Sequence, residues 1–140
     1  LEYAKVFKNY YGSLKETIVK DLKNGEDVIF DIDWQGTEQI KKKKLRYKVV
    51  TIFILPPSKK ELFKRLLKRD KKDKKIASER MKQFKDDVLH WKEYDFAVIN
   101  DNVEKCYLQI INYINSRKNK KKPFNYKKSF IKDHIAKLIS

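Results

Sequence analysis

The apolar run at residues 49–55, Val-Val-Thr-Ile-Phe-Ile-Leu, constrains the fold more than any other segment. A strand with one face in water alternates apolar and polar side chains, but this run is apolar on both faces. It therefore predicts a strand, from 47 to 55, that is buried in a parallel sheet. Apolar runs at 27–33 and 96–100 predict two further buried strands.

Helical patterns lie between these runs. Ser13 and Ser58 are each followed three residues later by a glutamate, which is the capping-box pattern of a helix N-terminus. Asn24-Gly25 predicts a left-handed stop for the first helix. The predicted helices are at about 14–23, 35–43, 58–67, 75–92 and 103–117. Strands that alternate with helices in this order indicate an α/β fold with a parallel, doubly wound sheet.

Polar residues close the predicted strands. Asp31 and Asp33 end the first strand, and Asn100 ends the last. Ligands of a doubly wound sheet bind at the carboxyl ends of its strands. Asp31 and Asp33 are two residues apart, so they would lie on the same side of a strand, which argues against chance. Asp31 is also the kind of carboxylate that holds Mg²⁺ directly or through water.

The composition limits the partners. At 140 residues the chain is the size of one domain, and its formal net charge is +16. Such a charge suits nucleic-acid binding, but the lysines are spread along the whole chain, so we expect no specific nucleic-acid partner. No apolar stretch approaches the roughly 18 residues of a membrane span, so we expect no membrane partner. The single Cys106 excludes an internal disulfide and predicts a buried thiol in a cytoplasmic protein.

The tail from Arg117 onward has nine lysines or arginines against the single acid Asp133. After Pro123 its apolar residues are spaced as in an amphipathic helix; they are Phe130, Ile131, Ile135, Leu138 and Ile139. We expect this helix to pack on the body of the protein, in preference to acting as a nucleic-acid or membrane-surface arm.

Four segments, taken in order, resemble guanylate kinases. They read LEYA followed by NYYGS at 1–4 and 9–13, DIDWQG at 31–36, IFILPPS at 52–58 and VIND at 98–101. The resemblance covers 1–117, and bacterial members have a similar basic tail. It implies an α/β fold of the P-loop nucleoside monophosphate kinase type and ATP-dependent phosphorylation of GMP to GDP. The implied organisation is a kinase-like domain at 1–117, with a GMP-binding part at about 1–33 and a lid at about 68–75, and a basic tail at 118–140.

The resemblance also implies roles in GMP binding. Guanine offers N1–H and an amino group as donors and O6 as an acceptor, so a guanine pocket needs carboxylates and a hydroxyl or N–H group. By the family motif, Glu2 and Asp33 would accept hydrogen bonds from the guanine edge. Ser13 would bond O6, and Tyr11 would donate its phenol to the GMP phosphate.

Roles toward ATP follow in the same way. Arg65, Arg69 and Arg80 flank or lie within the lid, and they would be the catalytic arginines that clamp the ATP phosphates as the lid closes. Arg69 and Arg80, with Asn100, would bind ATP. Asp31 would hold Mg²⁺, directly or through water.

The sequence departs from the family in two places. The lid usually reads Gly-Arg-Gly, whereas this chain has Lys68-Arg69-Asp70. A phosphate loop, G-x-x-x-x-G-K-[ST], needs two glycines five residues apart, and the glycines here are at 12, 25 and 36. We therefore expect that the phosphate loop and the N-terminal strand are missing and that these 140 residues alone are inactive.

A second interpretation is a guanylate-kinase-like binding module that has lost catalysis. The lost lid glycines favour this interpretation. Retention of Glu2, Ser13, Asp31 and Asp33, which are all suited to nucleotide contacts, argues against it.

Overall fold

The computed structural model describes residues 16–44, 46–122 and 125–140, and the chain divides into two units, 1–48 and 49–140. In the first unit, residues 16–23 form helix α1 and Trp34–Lys42 form helix α2. Helix α1 ends as predicted at Gly25, whose φ is 82°. Gly25 N donates to the Leu22 carbonyl and Glu26 N to the Asp21 carbonyl, both at 3.1 Å, which is the Schellman pattern.

The predicted strand at 27–33 is wrong. This segment is extended but joins no sheet among the described residues, and its Ile29 is 88% exposed. Apolar, β-branched residues favour an extended backbone locally, but a strand also needs a neighbour to accept and donate its ladder hydrogen bonds.

The second unit contains two strands and four α-helices within the described residues. The elements are β1 (Ile52–Leu55), α3 (Lys59–Arg69), α4 (Lys74–Asp87), a 3₁₀ segment (Val88–Glu93), β2 (Phe96–Ile99), α5 (Val103–Lys118) and α6 (Lys128–Ile139). Strand β1 is therefore shorter than the predicted 47–55, and the helix predicted at 75–92 changes to 3₁₀ geometry after Asp87. The helices predicted after Ser58 and at 103–117 are confirmed.

Strands β1 and β2 pair in parallel, as the apolar runs predicted, with Ile52 opposite Phe96. Thr51 and Asp95 fix this register just before the strands begin. Thr51 N donates to Asp95 Oδ2, and Asp95 N donates to Thr51 Oγ1, each at 2.9 Å. These two strands are the sheet that the described part of the chain contains, so a larger doubly wound sheet remains a prediction.

The two faces of this sheet carry separate apolar clusters. One face packs Leu55 and Ala97 against Val88 and the α6 residues Ile131, Ile135 and Leu138. The other packs Phe96 and Val98 against Cys106 and Tyr113 of α5. Cys106 is thus a buried thiol, as predicted, and burial raises its pKa.

Helix α6 packs on the body of the second unit, which confirms the expected position of the tail helix. Besides its three buried apolar residues, it is held by His134, whose Nε2 donates to the Pro56 carbonyl at 2.8 Å. At the end of the chain, Lys59 Nζ donates to the Ser140 carbonyl at 2.8 Å.

Tyr113 provides a test of the α5 side of the core. Its ring is 1% exposed and stacks on Phe96 with 4.2 Å between centroids. Its hydroxyl has no hydrogen-bond partner within the described ranges, and burial, with the Tyr126 phenol as a second cause, raises its pKa above the ordinary value. We expect Tyr113→Phe to leave the free energy of unfolding at about pH 7 unchanged or to raise it by about 1 kcal/mol, because an unpaired buried hydroxyl is lost.

The same variant should differ from the wild type in alkali. The raised pKa means that the unfolded chain loses the Tyr113 proton first, so the wild type loses stability as pH rises above about 10 and through the folded pKa. Tyr113→Phe should not show this loss of stability, because phenylalanine has no proton to release. Urea unfolding at about pH 7 and about pH 11 measures both effects, with Tyr107→Phe, an exposed tyrosine on the same helix, as the control. A large destabilisation by Tyr113→Phe at neutral pH would contradict the inference that the Tyr113 hydroxyl is unpaired.

Candidate functional site

The predicted site residues fall into three groups. Glu2, Tyr11 and Ser13 lie outside the described residues. Asp31 and Asp33 belong to the first unit. Arg65, Arg69, Arg80 and Asn100 belong to the second unit.

Asp33 is the N-cap of helix α2 rather than the end of a strand, which corrects the sequence-based placement. Its Oδ1 accepts a hydrogen bond from Gly36 N at 2.9 Å, and its side chain is exposed. Asp is a favoured N-cap because one carboxylate oxygen satisfies a first-turn N–H group. No hydrogen bond to the other oxygen, Oδ2, is made by the residues that the structure describes, so Oδ2 can accept from a ligand.

Gly36 allows the first turn of α2 to lie against the preceding segment. A Cβ at this position would be 3.2 Å from both Cβ and Cδ1 of Ile32. A contact this short is tighter than ordinary packing, so Ile32, which precedes Asp33, would have to shift by a few tenths of an ångström. The glycine of the DIDWQG segment therefore helps to hold the Asp33 carboxylate at the helix N-terminus.

Asp31 is exposed, two residues before the cap. In the parts of the chain that the structure describes, no group of three or more His, Cys, Asp or Glu side chains could hold a metal ion. Mg²⁺ commonly uses only one or two protein carboxylates, with waters and substrate phosphates as its other ligands. The Asp31 carboxylate thus fits Mg²⁺ that arrives with a nucleotide, but it is not a complete metal site.

Arg65 and Asn100 lie together at the carboxyl end of β2. Arg65 Nη1 donates to the Asn100 carbonyl at 2.9 Å, and its Nε donates to Glu61 Oε1 at 3.1 Å. Asn100 N donates to the Leu55 carbonyl at 2.7 Å, so this residue is anchored at the end of both strands. Its side-chain Oδ1 is buried and has no hydrogen-bond partner among the described residues.

The turn between α3 and α4 forms at 70–73, within the predicted lid. Lys71 and Lys72 adopt the left-handed conformation, with φ of 54° and 65°. Asp73 caps α4 by accepting from Lys75 N at 3.0 Å and from Ile76 N at 3.3 Å. The turn therefore closes without the glycines of the family lid, although left-handed geometry costs a residue with a side chain about 1 kcal/mol or more.

The lid arginines have different surroundings. Arg69 is exposed at the last position of α3, one turn after Arg65 and on the same helix face. Arg80 Nε lies 3.0 Å from Asp70 Oδ2, and the Asp70 side chain is only 9% exposed. Asp70 Oδ2 receives no well-directed hydrogen bond, so this contact is an ion pair without good hydrogen-bond geometry.

Two acidic partners were not identified from the sequence. Glu61 is four residues before Arg65, a spacing that could have indicated the pair. Asp70 and Arg80 are ten positions apart and meet only because α3 and α4 pack together across the turn. No short-range pattern carries that information.

Within the described ranges, no helix combines the length and apolar character needed to cross a membrane.

Comparisons with known proteins identify the family. The family model for guanylate kinase matches residues 1–117. The guanylate kinase of Buchnera aphidicola subsp. Schizaphis graminum is 50% identical over 106 residues, which are 76% of this chain and 50% of the relative. That of Blochmanniella floridana is 50% identical over 113 residues, covering 79% and 53%.

A third relative, the guanylate kinase of Cereibacter sphaeroides, is 45% identical over 104 residues, which are 74% of this chain and 49% of the relative. The chain thus spans about half the length of the curated relatives it matches. Since the family model extends over residues 1–117 of 140, the chain belongs to the guanylate kinase family.

Proposed function

We propose that this protein transfers a phosphoryl group from ATP to GMP, giving ADP and GDP. The observation that carries the proposal is the family match over residues 1–117. Within that range the chain has the nucleotide-facing residue types at the family's motif positions. They are Glu2, Tyr11, Ser13, Asp31 and Asp33.

Recognition of guanine is assigned to Glu2, Ser13 and Asp33. The Asp33 carboxylate is already oriented by its bond to Gly36 N, and its Oδ2, which has no donor among the described residues, would accept from guanine. Adenine presents an acceptor at N1, where guanine presents a donor. The N1 lone pair of adenine would face the carboxylate, and two acceptors cannot form a hydrogen bond. Tyr11 is assigned to the GMP phosphate.

Catalysis is assigned to Arg65, Arg69 and Arg80, which would clamp the ATP phosphates, and ATP binding to Arg69, Arg80 and Asn100. Arg65 is held by Glu61 and by the Asn100 carbonyl, which fixes its guanidinium at the carboxyl edge of the sheet. The unpaired Asn100 Oδ1 supports this assignment, because it can accept a hydrogen bond that the described residues do not supply. A guanidinium that is held in place, as that of Arg65 is, can stabilise the charge of a phosphoryl group in transfer.

Asp31 is the residue assigned to Mg²⁺, which when bound with ATP would neutralise phosphate charge. We assign no turnover to residues 1–140 alone, because the sequence has no G-x-x-x-x-G-K motif to hold the ATP phosphates. Activity is therefore proposed for the protein with a phosphate loop supplied before residue 1.

A binding module without catalysis is the second candidate. The Asp70–Arg80 ion pair favours it, since a carboxylate occupies an arginine that the kinase needs for phosphate. The two candidates differ in a simple assay. A kinase that carries the upstream loop consumes ATP when GMP is added, and a binding module does not.

Asp33→Asn tests the proposed role of Asp33 in guanine recognition. Asn caps a helix as well as Asp does, so α2 should be retained while one acceptor becomes a donor. We expect kcat/KM for GMP to fall about tenfold to a hundredfold and the preference for GMP over AMP to narrow. Steady-state assays with both substrates, in the protein joined to an upstream phosphate loop, measure this; Ser13→Ala should narrow the preference as well.

The matched control is Asp27→Asn, which removes the same charge from the same extended segment. It should leave the GMP-to-AMP ratio unchanged. Residues 1–140 without the added loop are the negative control for turnover. If the ratio of kcat/KM for GMP to that for AMP is unchanged in both Asp33→Asn and Ser13→Ala, neither residue takes part in recognition of the base.

Asp70→Asn tests whether the acid at the lid restrains Arg80. Removing the charge frees the guanidinium for phosphate, and a partly exposed ion pair contributes about 0.2–1 kcal/mol. We therefore expect KM for ATP to fall by a factor of about two to five, with KM for GMP unchanged.

Asp73→Asn is the control for this variant. It removes the same charge from the same turn, and Asn retains the cap of α4. An equal change in ATP KM for both variants would mean that overall charge, and not release of Arg80, is responsible.

A further inference from the structure

A cavity of about 340 Å³ lies between the 3₁₀ segment, the start of β2 and the N-terminal part of α6. Besides Phe96, its lining includes three aromatic residues and three lysines. These are Trp91, Tyr94, Tyr126, Lys92, Lys128 and Lys132.

This cavity is separate from the proposed ATP contacts of the second unit. Phe96 and Ala97, the first two residues of β2, line it, whereas Asn100 follows the last residue of that strand. Four residues of strand span about 13 Å, so the cavity and Asn100 are at opposite ends of strand β2. Neither Arg65 nor Arg80 lines it.

The cavity is suited to an anion. Its three lysines are opposed by one lining carboxylate, Asp95, whose Oδ2 already accepts from Thr51 N. Helix α6 begins here at Lys128, with Lys127 as its N-cap and no side-chain hydrogen bond to the first turn. Uncapped N–H groups and the helix dipole add positive potential on the same wall.

The aromatic rings are held in place before any ligand binds. Tyr94 packs edge-on against Phe53 with 4.9 Å between centroids, and Tyr126 stacks on Phe130 at 5.2 Å. Trp91 packs against the buried cluster of the α6 face. Fixed rings beside ammonium groups suit a planar base that carries a phosphate, because stacking and charge-assisted bonds act together.

We propose that this cavity binds a nucleoside monophosphate at a second site, distinct from the sites proposed for GMP and ATP. The base lies against the aromatic wall, and the phosphate lies between Lys128, Lys132 and the first turn of α6. The volume is at the lower end of small-ligand pockets, which favours one nucleotide over a segment of nucleic acid.

The two tryptophans of the chain allow the site to be observed alone. In Trp34→Phe, Trp91 is the only tryptophan and reports on the cavity. UMP is the probe, because the proposed guanine site should reject a pyrimidine. We expect saturable change of Trp91 emission and one site by calorimetry, with uridine binding about tenfold more weakly because it lacks the phosphate.

The lysine contribution is tested with Lys128→Ala/Lys132→Ala in the same Trp34→Phe background. We expect UMP binding at least tenfold weaker. The control, Lys105→Ala/Lys137→Ala, removes two exposed lysines that do not line the cavity and should leave binding unchanged.

Three results would overturn the proposal. One is the absence of saturable UMP binding up to about millimolar concentration in both fluorescence and calorimetry. Another is equal weakening in the two double-lysine variants, which would indicate only general attraction. The third is binding of inorganic phosphate as tight as that of UMP, or binding of oligouridylate without binding of UMP, since either would exclude a mononucleotide site.

Discussion

The parallel pairing of β1 with β2 is the interaction on which the second unit depends. Hydrogen bonds hold the pair at both ends, through Thr51 and Asp95 at the start and between Asn100 N and the Leu55 carbonyl at the finish. A slip of one residue would move every inward side chain to the opposite face. Both apolar clusters therefore require the same register. That register also places Asn100 where Arg65 can donate to its carbonyl.

Local signals in the sequence predicted local structure well. The Asn24-Gly25 stop, the Ser58 cap and the buried run at 96–100 all correspond to what the structure contains. The strand at 27–33 failed for a different reason. Its composition resembles that of the true strands, but a strand exists only when a neighbour pairs with it, and composition does not specify the neighbour.

In the candidate site, too, local patterns could be predicted from the sequence, whereas contacts between separate segments could not. Residue types suited to guanine and phosphate could be recognised from the motifs, and Asp33 was among them. The sequence does not predict that Asp33 caps a helix, because the apolar run before it favours a strand that continues to this residue. Nor did it predict the ion pair of Asp70 with Arg80, which forms only when two helices meet across a turn.

The positive charge of the chain is divided between two kinds of side chain with different surroundings. Arg65 and Arg80 are each paired with a carboxylate, whereas most lysines of the described ranges are exposed. A guanidinium can exchange a carboxylate for a phosphate with little change of geometry, because both anions offer two oxygens to its planar fork. Under the proposed function, a phosphate that reaches Arg65 or Arg80 must displace Glu61 or Asp70 or share the guanidinium with it. A lysine ammonium is a point charge without such a fork, so the net charge of +16 attracts anions in general, and selectivity for phosphate under the proposed function would come from the arginines.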